Sequence, residues 1–290
     1  MAQRDLERRI VSALERGLDP ICEDLLRPPP LGAPDASSSD DDRSMTATLQ
    51  DIRSKVEREG FAFIPAREVR AWLGAAGASD LTAFASTWDN LGEDRFMADG
   101  GRYRRRRHAT FSLVCGLVTR NPRQPHFQSR DYNPLNGGVQ RWFDPILDST
   151  LDNAVTRAVF SACGQLVSEL SGPRPWHMEM HQFRIEAAAD QSASPTPEGM
   201  HRDGVDWAFV MLVRRQNVAE GETRIAGAGG SDLDRFVLAE PMDAVFLDDR
   251  RVRHGVTAVA PIDLRRPAYR DALVVTFAAS PPGEWVESAS

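Results

Sequence analysis

Residues 199–207 read GMHRDGVDW, with His201 and Asp203 two apart beside Gly204 and just ahead of an apolar run. On an extended strand, residues i and i+2 project to one face, so an imidazole and a carboxylate set this way can grip one cation. A surface strand can carry such a pair by accident, so the reading needs a third ligand. His254 supplies it, at the start of HGVTAVA and just past an expected strand ending in FLDD. Two imidazoles and one carboxylate form the three-ligand face used by non-haem Fe(II) oxygenases, which leaves positions open for cosubstrate and dioxygen. Nitrogen and oxygen donors without a thiolate suit an iron that cycles between oxidation states. Zinc accepts the same donor set in hydrolases. Those usually add a general base, often on a helix as in H-E-x-x-H, and the sequence has no such motif.

Arg270 opens the strand-like RDALVVTF sixteen residues after His254. An oxygenase that uses 2-oxoglutarate needs a fixed cation for that molecule's far carboxylate, and arginine's planar fork pairs with a carboxylate through two parallel hydrogen bonds. Thr276 stands an even number of residues along the same segment and is expected on the same face. Arg265 and Arg266 are nearer His254 but fall in DLRRPAYR, a loop open to solvent.

The elements that must position these residues follow from periodicity. Residues 5–18 carry Leu6, Ile10, Leu14 and Leu18 at four-residue spacing, a short amphipathic helix. Residues 27–44, rich in proline, serine and aspartate, read as a linker unable to bury enough to fold. The chain thus divides into an N-terminal helix with a flexible linker, 1–44, and a catalytic domain, 45–290. Helices are expected over 45–59, in AREVRAWLGAA, in SDLTAFASTWDNL and over 144–171. GRYRRRRHATFSLVCGLV alternates into a strand, where the four arginines at 104–107 read as a solvated edge with one or two functional members. Beyond residue 175 come short strand-like segments, among them WHMEMHQFRIEA, DWAFVMLVRRQNV, DAVFLDDRRV and RDALVVTFAAS. Helices followed by many short strands indicate an α+β chain with a β-sandwich or barrel in its C-terminal half.

Bulk composition agrees with an enzyme domain. Apolar content of 41% and charged content of 27% are ordinary for a chain that buries a core. A net charge of −7 argues against a general nucleic-acid binder. The N-terminus lacks the apolar core of a signal peptide and no run is long enough to span a bilayer, so no membrane partner is expected. Cys22, Cys115 and Cys163 form neither a C-x-x-C clip nor a disulfide framework, which makes a reducing cytoplasm the default location.

The segment PEGMHRDGVDWAFVMLVRRQNVAEGETRI, with LDDRRVRHGVTAV and YRDALVVTFAAS, resembles the bacterial 2-oxoglutarate/Fe(II) dioxygenases typified by L-isoleucine hydroxylases. HFQSRDYNPLNGGVQRWFDPI and WHMEMHQFRIEA resemble the same pattern, so the likeness covers roughly residues 100–280. It departs at Ala219-Glu220-Gly221, where the family tends to have a double glycine. The resemblance implies a double-stranded β-helix (jelly-roll, cupin-like) core with flanking N-terminal helices. It also implies hydroxylation of a free L-amino acid coupled to oxidative decarboxylation of 2-oxoglutarate to succinate and CO2. Fe(II), 2-oxoglutarate and dioxygen are the implied cofactors, with ascorbate as a supporting reductant. His201, Asp203 and His254 would bind the iron, and retention of Asp203 favours hydroxylation over halogenation. Arg270 would hold the cosubstrate's C5 carboxylate, with Thr276 beside it. Arg141 matches an arginine of the family motif and is a candidate for the substrate carboxylate. Gln128, Asn133, Asp144, Arg184 and Trp207 are further candidate contacts; Trp142, Phe143, Trp176 and Trp207 could wall an apolar pocket, but aromatic residues in a domain this size are more often core. His177 and His181, four apart on an expected strand, are not expected to be ligands. His108 and His126 have no assignment.

Overall fold

A computed structural model describes residues 40–74, 77–172, 174–188 and 193–279, with side chains from residue 48 onward. The helix expected over 5–18 and most of the linker lie outside the described residues. Alternating strands dominate. The main sheet has eight, β1 (Phe61–Ile64), β2 (Arg104–Val114), β3 (Leu117–Arg120), β4 (Asp144–Pro145), β5 (Trp176–Ala187), β6 (Trp207–Gln216), β10 (Ala244–Asp248) and β13 (Ala268–Ala279), in the order β1-β10-β6-β13-β5-β2-β3, with β4 beside β2. Facing it are a three-stranded sheet of β8 (Glu222–Gly227), β9 (Asp232–Val237) and β11 (Val252–Val256), and a pair formed by β7 (Val218–Glu220) and β12 (Val259–Pro261). This is the jelly-roll arrangement expected for the C-terminal half, extended by β1 to β4 from the N-terminal half.

One face of the main sheet is covered by helices. These are α1 (Asp40–Glu59), α2 (Ala66–Trp72), α3 (Ala78–Ser86) and α5 (Ala154–Ser171), with the one-turn α4 (Asp148–Leu151) leading into α5. α1 begins five residues inside the stretch read as linker. The single helix expected over 144–171 is broken instead: 144–145 pair as β4, and Asn153 caps α5 by accepting from the Val155 amide. The core beneath the helices shows the period of two directly. Phe111 and Leu113 of β2, Trp176, Met178 and Met180 of β5, Phe209 and Met211 of β6, and Leu273, Val275 and Phe277 of β13 meet Leu49, Ile52, Val69, Trp72, Val159 and Leu166 of the helices. The alternate residues of the same strands are therefore turned to the opposite face, away from the helices.

A charged knot sits on the helix side of the sheet edge. Arg184 donates to both oxygens of the fully buried Asp271 at 2.7 and 2.8 Å, and Arg214 reaches the same carboxylate at 2.9 Å. Removing Asp271 leaves Arg184 and Arg214 to share the half-exposed Asp89, so Asp271→Ala is expected to lower unfolding free energy by about 3 kcal/mol, read by urea denaturation. Cys163 is a buried free thiol. No helix among the described residues is long and apolar enough to cross a membrane.

Candidate active site

The sheet face turned from the helices walls a cavity of about 390 Å³. Its floor is the other half of the alternation: Arg104 and Arg106 from β2, His177, Glu179, His181 and Phe183 from β5, and Arg270, Val274 and Thr276 from β13. The opposite side comes from β11 and from the loops over residues 126–141 and 195–205. A volume of this size with few convergent polar groups suits small molecules.

His201 and His254 are brought together by the backbone. The two residues form an antiparallel bridge, each amide donating to the other's carbonyl at 2.9 Å, and their ring centroids lie 4.5 Å apart. Asp203 joins them, with Oδ1 3.5 Å from His201 Nε2 and Oδ2 3.6 Å from His254 Nε2. The expected strand over His201–Asp203 is not formed; Asp203 stands in a loop instead. Asp249 fixes that loop by accepting from the amides of Asp203, Gly204 and Val205 at 2.9, 2.8 and 3.2 Å. Gly204 has φ +82°, and a Cβ there would lie 2.6 Å from the Tyr132 ring, so both backbone and space require glycine.

The donor set fits a divalent metal. His201 Nδ1 donates to the Gly199 carbonyl at 3.0 Å, which leaves the Nε2 lone pair facing Asp203. Burial alone would lower the His201 pKa, but the hydrogen bond and charge of Asp203, with the charge of Glu198, raise it to about 9. Burial and the His201 charge push His254 down to about 4. Metal must therefore displace a proton from His201 and none from His254. The affinity for Mn(II), a redox-stable probe, is expected to rise about tenfold per pH unit up to pH about 9, read by titration between pH 6 and 9.

Arg270 is buried, and its Nε and one terminal nitrogen have no partner among the described residues. Burial, then the neighbouring Arg215, lowers its pKa to about 10, so it stays charged at neutral pH. An orphaned buried guanidinium facing a cavity is built for an anionic ligand. Thr276 lines the same wall.

Arg141, Gln128 and Asn133 also converge here. Arg141 donates to Gln128 Oε1 at 2.9 Å and keeps its buried Nε unpartnered. Asn133 donates to the same Gln128 oxygen at 3.2 Å, and the Gln128 amide reaches the Asp203 carbonyl at 3.1 Å. Two other candidates are not brought to the cavity. Arg184 is spent on Asp271 and Asp89, and Trp207 donates to Ser171 Oγ and stacks near Phe246. Strand alternation turns both toward the helix side. Asp144 is exposed on β4 and Trp142 is half-exposed, whereas Phe143 and Trp176 are buried.

Several cavity residues escaped the sequence reading. Arg104 and Arg106 are buried rather than on a solvated edge, because β3, β4 and β5 pair with β2. Glu198 lies 3.6 Å from His201 Nε2 with its other oxygen unpartnered. His108, His126 and His181 gather around Glu179. The signal was the alternation of WHMEMHQF, which places residues 177, 179, 181 and 183 on one face.

Known proteins resemble the chain along this whole region. The family described as 2OG-Fe dioxygenase matches residues 85–276. L-Isoleucine-4-hydroxylase of Bacillus thuringiensis is 26% identical over 52% of the chain, and the match spans 64% of that protein's length. A 3(1)-hydroxy-L-isoleucine 4-dioxygenase of Pantoea ananatis is 23% identical over 79% of the chain and 96% of its own length. Among solved structures, a bsmA homologue from Methylobium petroleophilum superposes with a TM-score of 0.74 at 32% identity, covering 81% of this chain and 96% of that one. The fold of IDO from Bacillus thuringiensis follows at a TM-score of 0.68 and 20% identity, over 80% of this chain and all of that one. The chain belongs to the 2OG-Fe dioxygenase family, and its cofactors are Fe(II), 2-oxoglutarate and dioxygen.

Proposed function

We propose that this dioxygenase hydroxylates a C–H bond of a free L-amino acid, aliphatic or cyclic such as pipecolate, in bacterial specialised metabolism. The observation that carries the reading is a cavity with the His201/Asp203/His254 face on one side and two buried guanidinium groups, Arg270 and Arg141, each with nitrogen unpartnered among the described residues, addressing it from different elements. Two small carboxylates, one from the cosubstrate and one from the substrate, answer those two cations. The names of the isoleucine-oxidising relatives point the same way.

His201 Nε2, Asp203 and His254 Nε2 would hold the iron, and Arg270 would take the distal carboxylate of 2-oxoglutarate. When bound, the metal would let dioxygen act as the oxidant, with the keto acid giving two electrons as it loses CO2 and one oxygen atom ending in succinate, the other in the hydroxylated substrate. The chain's own work is orientation. Asp249 fixes the backbone of Asp203, and the Gly199 carbonyl fixes the His201 tautomer. Gln128 ties Arg141 to the loop of Asp203, so the substrate carboxylate would be registered against the metal position through two hydrogen bonds. Asp203 fills the place that a halide would need.

The test is an aerobic screen of free L-amino acids, pipecolate and proline included, with succinate and product mass measured together. Succinate formed in step with a product 16 mass units heavier is expected for at least one amino acid. Succinate that rises only with a peptide or a protein substrate would overturn the reading.

A further inference from the structure

The cavity holds a second cluster of ligand-type atoms, in His108, His126, Glu179 and His181, and nothing in the iron site uses it. Its hub is Glu179 Oε2, which lies 2.5 Å from His126 Nδ1, 2.9 Å from His108 Nε2 and 3.4 Å from His181 Nε2. The cluster could be a second metal site, and its geometry argues otherwise. Ligands around an ion held at about 2.0–2.2 Å sit roughly 3 Å or more apart. The iron-site atoms, at 3.5 and 3.6 Å, leave that gap. The two short contacts to Glu179 are those of N–H donors bonded to a carboxylate. His181 is also closed to metal, because Arg106 lies 3.0 Å from its Nδ1. A guanidinium only donates, so His181 Nδ1 accepts and its Nε2 carries the proton toward Glu179.

The arrangement is an anionic carboxylate held by neutral rings. Burial would raise the Glu179 pKa, but the neighbouring His126 and His108 hold it well below the usual carboxylate range. Burial lowers His126 to about 4 and His181 well below its ordinary value. Glu179 Oε2 is saturated. Among the described residues, Oε1 meets only His177 Nε2, at 3.5 Å, and Glu179 lines the cavity. Arg106 and Arg141 act on this carboxylate through space, but among the described residues neither bonds to it, so Oε1 can accept directly from a cationic ligand in the cavity.

We propose that Glu179 is the anchor for the substrate's ammonium group, its Oε1 accepting from the amine while His108, His126 and His181 act as positioning residues that fix Oε2. The inference rests on the amino-acid reading above and specifies which group on the substrate's α-carbon each side chain takes: Arg141 the carboxylate, Glu179 the amine. It makes the site selective for zwitterions over the corresponding simple acids. Glu198 is the rival anion, but its Oε1 is 3.6 Å from His201 Nε2, in the reach of the metal position rather than of the remote end of a substrate.

The test is anaerobic calorimetry on protein loaded with Fe(II) and 2-oxoglutarate. The probes are the amino acid that gives most succinate in the screen and the acid with hydrogen in place of its amino group (3-methylpentanoate if the amino acid is L-isoleucine). The unaltered protein is expected to bind the amino acid about 30- to 100-fold more tightly than the acid. Glu179→Gln should collapse that ratio toward one by weakening the amino acid alone, and Glu179→Asp should restore part of it. On unaltered protein, the N-trimethyl derivative, charged but without N–H, should bind as poorly as the acid, a result that needs no variant to fold.

Equal weakening of both probes by Glu179→Gln would mean a structural role and overturn the proposal. So would a ratio that collapses in Glu198→Gln instead, or a second equivalent of bound iron that Glu179→Gln abolishes. An unaltered protein that makes succinate with an amino acid while Glu179→Gln keeps the full ratio overturns the anchor alone. An unaltered protein unresponsive to every amino acid overturns the functional reading, and the anchor with it.

Discussion

Asp203→Ala is expected to fold, to bind Mn(II) or Fe(II) at least about 100-fold more weakly than the unaltered protein, and to retain less than about one-thousandth of its turnover. Loss of an outer partner of a metal ligand already costs about 10–100-fold in affinity or activity, and loss of the ligand itself must cost more. Folding should survive, because what holds the loop is backbone. The amides of Asp203, Gly204 and Val205 bond to Asp249, and the substitution touches none of those donors. It removes the only carboxylate that lies within 3.6 Å of both imidazole nitrogens. Metal titration by calorimetry and succinate formation check the two halves separately. Full metal affinity in the variant would move the iron elsewhere.

Arg270→Gln is expected to raise KM for 2-oxoglutarate by about 100-fold or more while changing kcat much less. Truncating one partner of a buried, hydrogen-bonded charge pair costs about 2–5 kcal/mol. Arg270 is as exposed to that loss as a residue can be, with two nitrogens that find no partner among the described residues. Arg270→Lys keeps the charge but loses the planar fork, so it should fall between the two. The effect appears in KM because the group lies at the far end of the cosubstrate and would touch no reacting atom. Steady-state kinetics at saturating amino acid and varied 2-oxoglutarate give the split. An unchanged KM would assign the orphaned guanidinium to another anion.

The candidate iron face, whose three residues the structure brings together, was legible because its chemistry is carried by residue types that few other purposes require together. His201, Asp203 and His254 could be picked without knowing that a backbone bridge sets the two histidines opposite one another. Arg270 was legible for the same reason, as a lone arginine opening an apolar strand. A β-sandwich or barrel followed from turn-separated alternation after residue 175, and its jelly-roll form from the family resemblance. What sequence reading lost was facing. Arg184 and Trp207 are of the right type, but one register step turns each to the helix side of the sheet. The arginines at 104–107 read as solvated because β2 carries four of them in a row. Pairing on both sides of β2 buries Arg104 and Arg106 and leaves Arg105 and Arg107 partly exposed. Glu179 was missed because its meaning depends on three rings from two strands and a loop, a coincidence visible only in three dimensions. Glu220 is a milder case. It adopts a left-handed backbone, at φ 61°, that favours glycine, and the residue type alone does not announce it.

The most direct test of the central claim is anomalous diffraction at the iron edge from anaerobic crystals grown with Fe(II) and 2-oxoglutarate. The account predicts one iron peak, bounded by His201 Nε2, Asp203 and His254 Nε2, with the keto acid's distal carboxylate on the Arg270 guanidinium. Iron seated instead among His108, His126 and Glu179, or a keto acid turned away from Arg270, would contradict it.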